Sequence, residues 1–354
     1  MVKELDLTPY HNSVRKKAAL IFLLSAAGIF VSIYSICVTQ MNIGFGEAID
    51  YIIGHFQGTV YDDYYMQLKS EIVWESLVPM AVVGLLVGGI LGVSGAVMQI
   101  IIKNPVADPY TIGISSGALF GVTLFIVLDF SVTGFMSEIG QVLNAFVFSL
   151  IPVAIIILFS TVKKVTPTVM VLIGIAVMYI FSAFTTLLKY TATEDDIASI
   201  YAWSVGSLGS VGWESVPFTL FGFVLILLTM VLVSNKLNVL SVGDNACRAL
   251  GEDPNRLRLV CLVLISIATS TAVCYTGTIG FIGLIAPHIC RMFVGSNAKY
   301  LVPCSAAMGA LTLMASETLA RCIGSTGVSV GIITALVGGP IFLFFLIRQK
   351  RSAW

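Results

Sequence analysis

Residues 92–121 read GVSGAVMQIIIKNPVADPYTIGISSGALFG, and this stretch decides how the chain is organised. It begins as the end of a long apolar run, whose glycines and serine form a small-residue face that lets membrane helices approach closely. Asn104-Pro105 and Asp108-Pro109 then interrupt the run, because a residue before proline avoids the α region and proline donates no backbone hydrogen bond. The stretch predicts one helix ending near Lys103, a polar turn, and a second helix starting near Tyr110.

The composition places the chain in a membrane. Of 354 residues, 57% are hydrophobic and only 11% are charged, which is more apolar surface than a soluble protein of this length can bury. Apolar runs of about 20 residues, the length that crosses roughly 30 Å of hydrocarbon, recur along the chain. We predict an all-α polytopic membrane protein with a single transmembrane domain. Its ten predicted spans are residues 18–39, 77–101, 111–129, 142–161, 168–189, 216–234, 258–276, 280–295, 301–321 and 328–347. The eighth span is short and contains a proline, which predicts a partial or bent helix.

The distribution of charge orients these spans. If both termini are cytoplasmic, the inside segments contain all of the 19 basic residues except Lys69, Lys189 and Arg321. Cytoplasmic loops of membrane proteins are enriched in lysine and arginine, and an odd number of spans would scramble this distribution. We therefore expect residues 1–17 and 348–354 to be cytoplasmic segments on either side of the transmembrane domain, residues 18–347.

The sequence contains no catalytic constellation. It has no GxxxxGK[ST] phosphate-binding loop, so the chain cannot itself be an ATPase. Its three histidines are scattered, and His288 is interpreted as a satisfied structural residue. The seven cysteines form no CxxC pair, which is typical of small buried thiols. We predict no metal site and no cofactor bound by this chain.

Two outer segments have more than one interpretation. His55 and the tyrosine-rich residues 61–65 suggest metal capture, but a solvated loop containing an interfacial helix explains them better. Residues 197–213, between the fifth and sixth spans, are apolar and rich in glycine, which predicts a short helix lying at the outer surface.

Two blocks of the sequence resemble the permease subunits of binding-protein-dependent ABC importers for iron–siderophores, haem and cobalamin, the FecCD-type family. The first block contains SGAVMQ at 94–99, NPVADP at 104–109 and IGISSGA at 112–118, and the second is GTIGFIGLIAPHICR at 277–291. Both occur in the family's order, and the resemblance extends over nearly the whole chain from about Ser76. It implies a type II ABC importer permease fold in the cytoplasmic membrane of a prokaryote. The motif turns contain Asn104, Pro105, Asp108, Pro109, Gly280, Gly283, Pro287, His288 and Arg291.

The longest predicted cytoplasmic loop comprises residues 240–258. We expect two short helices broken at Gly251, where glycine suits a left-handed cap, with Pro254 in the first turn of the next helix. Such a loop is ordinarily just solvated, but the resemblance implies that it forms the coupling helices that bind the ATPase. The candidate coupling residues are Asp244, Arg248, Leu250, Gly251, Glu252, Asp253 and Pro254.

The start of the fifth span is the candidate inner gate. The resemblance places small polar residues of the gate at Thr166, Pro167 and Thr168. Their hydroxyls would line a narrow constriction, although a threonine that caps the helix explains them equally well. The glycine-containing second, third, fifth and eighth spans would line a wide, weakly binding cavity that suits a large cargo.

Glu317 and Arg321 lie four residues apart near the outer end of the ninth span, a spacing that predicts an ion pair on one helix face. The resemblance implies that an acid and an arginine occupy these two docking positions and that Arg321 helps to receive acidic residues of the binding protein. The chain departs from the family at Leu77 and Met80, where arginines usually serve docking. Docking then relies either on the three outer cations or on a second, non-identical permease.

The resemblance implies the permease subunit of an ATP-driven importer for a siderophore, haem or cobalamin. Its partners would be a second permease copy, two ATP-binding subunits that hold ATP and Mg²⁺, an extracytoplasmic substrate-binding protein and the lipid bilayer, with no nucleic acid. A secondary transporter is the alternative, but it needs a carboxylate near mid-membrane, and the sole candidate, Glu317, lies near the surface. An intramembrane enzyme would need clustered nucleophiles or metal ligands, which the sequence does not show.

Overall fold

The computed structural model describes residues 8–39, 41, 43–162, 166–324 and 327–348, and all regular elements among them are helical. The α-helices are α1 (Thr8–Cys37), α2 (Phe45–Gln57), α3 (Tyr64–Ile72), α4 (Val78–Ile102), α5 (Ile114–Leu128), α6 (Glu138–Val162), α7 (Pro167–Lys189), α8 (Glu194–Ser204), α9 (Ser215–Leu232), α10 (Ser234–Val242), α11 (Asp244–Ala249), α12 (Pro254–Thr276), α13 (Ile282–Val294), α14 (Ala298–Arg321) and α15 (Val330–Arg348). A π-helical turn, Val73–Leu77, joins α3 to α4, and a 3-10 turn, Pro109–Ile112, precedes α5.

Ten of these helices correspond to the ten predicted spans. Among the described residues, α1, α4, α6, α7, α9, α12 and α14 are long and apolar enough to cross a membrane. The other three, α5, α13 and α15, are shorter apolar helices. Helix α13 has 13 residues and is therefore only about 20 Å long. The predicted polytopic all-α fold, with a partial eighth span, is confirmed.

Helix α4 forms the centre of the bundle, where α14, α13, α12 and α9 pack around it. A Cβ atom added at Gly88 would lie 2.5 Å from the Gly309 carbonyl oxygen, and one added at Gly92 would overlap the Ser305 carbonyl. The backbones of α4 and α14 therefore touch, as small residues permit in membrane helices. The predicted small-residue face is a packing surface between helices.

The predicted outer loop is largely helical. Helices α2 and α3 occupy it, and the His55 ring stacks on the Trp74 ring with 3.8 Å between centroids. The Asp63 carboxylate caps α3 by accepting hydrogen bonds from the Tyr65 and Met66 amides. These two residues of the suspected metal cluster therefore make structural contacts, as expected for a loop that contains helices. A short helix, α8, begins at Glu194, just before the predicted range of 197–213, and ends at Ser204; its place at the outer surface stays a prediction.

The prediction of buried thiols holds for five of the seven cysteines. Cys37 is half-buried, and Cys322 is exposed because it ends α14. Cys290 on α13 and Cys304 on α14 are both buried, on two helices that pack against each other.

Candidate functional site

The two sequence blocks that carry the family resemblance meet in space, at a place that we name the motif junction (Gly95, Gln99, Asp108, Gly283 and Arg291). Gly95 on α4 lies against Gly283 at the start of α13, and a Cβ atom added at Gly95 would lie only 2.6 Å from the Gly283 Cα. Nothing larger than glycine fits at this crossing without moving a backbone. The glycines of the two blocks are therefore two sides of one contact.

Hydrogen bonds reinforce this contact. The Gln99 Nε2 donates to the Gly283 carbonyl over 3.5 Å, and an Arg291 guanidinium nitrogen donates to the Gln99 Oε1. Gln99 is buried in the last turn and a half of α4, and Arg291 lies in the last turn of α13. One glutamine side chain thus links the beginning and the end of α13 to α4.

The turn between the two proline pairs folds back into the bundle. Lys103 adopts the left-handed conformation (φ 55°) that ends α4, and the Asn104 Oδ1 accepts a hydrogen bond from the Val106 amide over 3.0 Å. The Asp108 side chain is 6% exposed, and its Oδ1 accepts from the Tyr110 amide over 2.8 Å. A Cβ atom at Gly283 would lie 2.8 Å from the Asp108 Oδ2.

The depth of this turn was not predicted. A Cβ atom at Gly283 would also lie 3.2 Å from the Leu91 carbonyl oxygen, and Leu91 lies about 16 Å from the end of α4. The second half of the expected polar turn, residues 107–109, is therefore buried beside the middle of α4. Pro105 is half-buried in this turn, whereas Pro109 is buried and starts the 3-10 turn.

The candidate gate residues have a local structural role. The Thr166 hydroxyl accepts a hydrogen bond from the Val169 amide over 3.4 Å, and Pro167 occupies the first turn of α7. Capping, the alternative explanation of these residues, is therefore confirmed. Thr168 is exposed one residue later. Their part in a gate stays a prediction.

The predicted coupling loop differs from expectation in one respect. The chain breaks at Gly243, between α10 and α11, and not only at Gly251. Gly251 has the predicted left-handed conformation (φ 78°), and Pro254 lies in the first turn of α12. The Asp253 carboxylate caps α12 by accepting from the Asn255 amide over 2.9 Å. The first of the two expected short helices is thus divided, because glycine at 243 adopts an extended backbone.

An ion-pair network, which we name the clasp (Lys103, Asp244 and Arg258), holds α11 to the bundle. The Arg258 Nη1 and Nη2 donate to the two Asp244 carboxylate oxygens over 2.9 and 2.5 Å. The Lys103 Nζ donates to the same carboxylate over 2.8 Å. The Arg258 Nε donates to the Ile101 carbonyl over 3.0 Å. A bidentate guanidinium–carboxylate pair is strong and directional, so α11, α12 and the end of α4 are fixed to one another.

The Arg258 guanidinium of the clasp is buried, so it depends on its ion-pair and hydrogen-bond partners. The Arg258 side chain is 1% exposed, and a buried charge persists only where it is paired and hydrogen-bonded. The sequence alone places Arg258 among the cations of a solvated loop and does not predict this role. The spacing of residues along the chain could not have predicted the clasp. Asp244 and Arg258 are 14 residues apart, and Lys103 lies in another block of the chain.

The clasp lowers the pKa of its carboxylate, Asp244. Hydrogen bonding from Arg258, helped by Lys103, holds the pKa of the Asp244 carboxyl below its ordinary value. Because the folded-state pKa is lowered, the stabilisation is fully present above the ordinary aspartate pKa of about 3.9 and is lost as the pH falls below it. The Asp244 carboxyl therefore stays ionised at physiological pH.

The remaining coupling candidates face away from the bundle. Arg248 is exposed, and Leu250 is a large apolar side chain with 68% of its surface exposed. Glu252 forms an ion pair with Lys236 over 2.7 Å. This segment therefore has one side anchored by the clasp and another side that presents a cation and an apolar group.

The second block contains three further candidates. The His288 ring packs against the Phe345 ring with 5.0 Å between centroids, but its Nδ1 has no hydrogen-bond partner within the described chain. The ring is therefore packed, as expected of a structural histidine, but the expected hydrogen bond of its Nδ1 is not made. Pro287 lies inside α13, and Gly280 precedes it with open space on the side where a Cβ atom would be.

At the opposite end of the bundle, the predicted ion pair of the ninth span is confirmed. The Arg321 Nε donates to the Glu317 Oε1 over 2.7 Å, and Glu317 is buried. Lys69, a second expected docking cation, is paired with Glu47 over 3.0 Å. Leu77 and Met80, where the family has arginines, are buried.

Comparison with known proteins fits this arrangement. Residues 27–348 match the FecCD transport family. The hemin transport system permease protein of Yersinia pestis is 35% identical over 285 residues, covering 79% of this chain and 84% of the relative. The molybdate import system permease protein of Haemophilus influenzae is 32% identical over 287 residues, covering 80% and 83%. A solved ABC transporter described as metal-chelate type, in an inward-facing conformation, superposes with a TM-score of 0.81 at 28% identity, covering 94% of this chain and all of that one. The chain therefore belongs to the FecCD transport family and is a multi-pass permease subunit of an ABC importer.

Proposed function

We propose that this permease lines the translocation pathway for an iron complex, either a siderophore or haem, or for cobalamin. The similarity to a hemin permease and to a metal-chelate type transporter supports this class of cargo. Molybdate, the cargo named for another relative, is the competing candidate. A second permease copy completes the pathway, and separate subunits hydrolyse ATP.

The clasp is the observation that carries the coupling role. We infer that the end of the bundle with the clasp, which we name the clasp end, is cytoplasmic and that the ATPase binds the exposed side of α11, at Arg248 and Leu250. A push on α11 reaches α12 and α4 through Arg258 and Lys103. From α4 it reaches α13 through Gln99 and the two packed glycines. Closely packed contacts transmit displacement because they have no free volume to absorb it.

The opposite end is then the outer face, where an extracytoplasmic binding protein delivers cargo. Arg321 is the candidate for docking, and its charge is shared with Glu317. The topology is testable by cysteine labelling from outside: a probe at Asp195 should react, whereas a probe at Glu252 should not. Reversed labelling would contradict the assignment of both faces.

Transport in proteoliposomes tests the function. The permease is reconstituted with its ATPase and binding protein, and uptake is measured for haem, a ferric siderophore, cobalamin and molybdate. We expect uptake of one of the first three that requires both ATP and the binding protein. Uptake of molybdate alone would overturn the cargo class. Uptake that persists without ATP and collapses with a protonophore would instead indicate a secondary transporter.

A further inference from the structure

A cavity of about 520 Å³ opens between α1 and α13 at the clasp end of the bundle. We name it the headgroup pocket, and it is lined by Asn12, Ser13, Lys16, Lys17, Leu20 and Phe293. Helices α1 and α13 both pack on α14, so α14 lies behind the opening between them. None of the functions described so far uses this pocket.

The polar wall of the pocket suits an anion. Asn12 and Lys16 are four residues apart on α1, as are Ser13 and Lys17, and this spacing places all four on one helix face. They offer two ammonium groups, an amide and a hydroxyl, and none of the six lining residues is acidic. The Lys17 Nζ lies 4.9 Å from the centroid of the Tyr300 ring, which holds this side chain towards α14.

The other wall suits a hydrocarbon chain. Leu20 lies one turn further along α1 towards the membrane, and the Phe293 side chain is 63% exposed. Phe22 and Leu23, in the next turn of the same helix, are also more than half exposed, as expected for side chains that face lipid. A ligand that fills the pocket therefore needs a negatively charged head and an apolar tail that continues along α1.

We propose that the headgroup pocket binds an anionic phospholipid of the leaflet at the clasp end. The phosphate is bound by Lys16 and Lys17 with hydrogen bonds from Asn12 and Ser13, and one acyl chain packs on Leu20 and Phe293. Basic pockets between membrane helices bind phosphate headgroups through the same combination of charge and hydrogen bonds. The lipid would bridge α1 and α13, the two helices that pack on α14 from either side of the pocket.

Binding of phosphatidylglycerol to the intact permease in neutral detergent tests this proposal, because a neutral micelle has no surface potential to attract the lipid. We expect Lys16→Gln/Lys17→Gln to weaken binding about 25-fold, from about fivefold for each partly exposed lysine–phosphate ion pair. The matched control is Arg15→Gln/Lys299→Gln, which removes two exposed cations near the same end that do not line the pocket, and it should bind as the parent protein does. Lys16→Arg/Lys17→Arg keeps both charges and should keep binding, which separates a lost site from a misfolded chain.

Three further measurements identify the ligand. Phosphatidylcholine should bind at least tenfold more weakly than phosphatidylglycerol. Leu20→Ala/Phe293→Ala should weaken binding of phosphatidylglycerol. Inorganic phosphate should fail to displace the lipid at equal concentration, because it lacks the acyl chain. Equal retention of the two lipids, equal losses in the pocket and control variants, or displacement by inorganic phosphate would each overturn the proposal.

Discussion

The two ends of the bundle are built differently. At the clasp end, Lys103, Asp244 and Arg258 belong to one connected network, in which Arg258 is almost fully buried and joins three helices. At the opposite end, the described ion pairs are separate and local: Arg321 pairs within its own helix, and Lys69 pairs with Glu47 of the neighbouring α2. A network that joins three helices links their movements, whereas a pair within one helix or between two neighbouring helices acts only locally.

This difference fits the two tasks proposed for the ends. Coupling to an ATPase requires that a displacement of α11 also displaces the membrane-spanning helices. Docking of a binding protein requires only a complementary surface that forms and dissociates in every cycle. The predictions that follow test this contrast, from the largest expected effect to the smallest.

The largest effect is expected at the motif junction. In Gly95→Ala, the added methyl group lies 2.6 Å from the Gly283 Cα and overlaps its carbonyl, so α4 and α13 must separate. We expect a loss of about 3 kcal/mol in the free energy of unfolding and no transport. Thermal unfolding of the purified protein and uptake in proteoliposomes measure these effects.

The matched control is Gly46→Ala, since Gly46 is also helical but has no atom within 4 Å of its Cβ position. Alanine there should be neutral or stabilising by up to about 1 kcal/mol, as helix propensity predicts. Equal behaviour of the two variants would show that the junction is not tightly packed.

The next effect is expected at the clasp. Arg258→Gln removes the buried guanidinium and leaves Asp244 with only Lys103. We expect about 2 kcal/mol of destabilisation, less than for a fully buried pair because a third of the Asp244 side chain is exposed to solvent. ATP hydrolysis should continue while transport per ATP falls several-fold. The control is Lys236→Gln, which breaks the exposed pair with Glu252. It should change neither the stability nor the transport per ATP by much. If Arg258→Gln transports as much cargo per ATP hydrolysed as the parent protein, the clasp is not needed to couple α11 to the spans.

A smaller effect is expected at the bend between α11 and α12. Gly251→Val places a β-branched residue at a left-handed position (φ 78°), which costs about 1–2 kcal/mol. The bend should shift, giving an assembled complex with poor coupling between ATP hydrolysis and uptake. Gly243→Val is the control, since the Gly243 backbone is close to extended (φ 160°) and its Cβ position is open. Normal uptake by Gly251→Val would refute a coupling role for this bend.

The smallest effect is expected at the opposite end. Arg321→Glu should slow association with the binding protein on the order of threefold and reduce its dependence on salt, because charges at a rim act mainly on the association rate. ATP hydrolysis without the binding protein should persist. Lys189→Glu makes the same change of charge at the outer end of α7 and should have a weaker effect. If both variants associate with the binding protein at equal rates at two ionic strengths, Arg321 has no special part in docking and forms only a helix-end ion pair.

Much of the fold follows from the sequence because lipid imposes a simple rule on it. Every backbone group must be hydrogen-bonded within the membrane, so runs of about 20 apolar residues can only be helices. Their number, their approximate ends and the short eighth span were therefore predictable. Local rules also fixed the caps, since Thr166, Gly251 and Pro254 act within a few residues of themselves.

The candidate site was predicted only in part. The sequence marked Gly95, Gly283 and Arg291 as motif residues, but it did not show that they belong to one contact. It placed Arg258 in solvent and Asp108 in a surface turn, and both are buried. Residue type and spacing describe one helix at a time, and they contain no information about which helix lies opposite.

The sequence by itself determined a polytopic helical protein, its family and the residues at its helix ends, because these follow from apolar length, local backbone rules and motif order. Only the tertiary structure decided that the two motif blocks form one junction, that the turn at Asp108 folds back beside α4, and that Lys103, Asp244 and Arg258 form one network. The physical reason is that a buried charge or a glycine contact is defined by its partner, and those partners are 14 to 192 residues away along the chain.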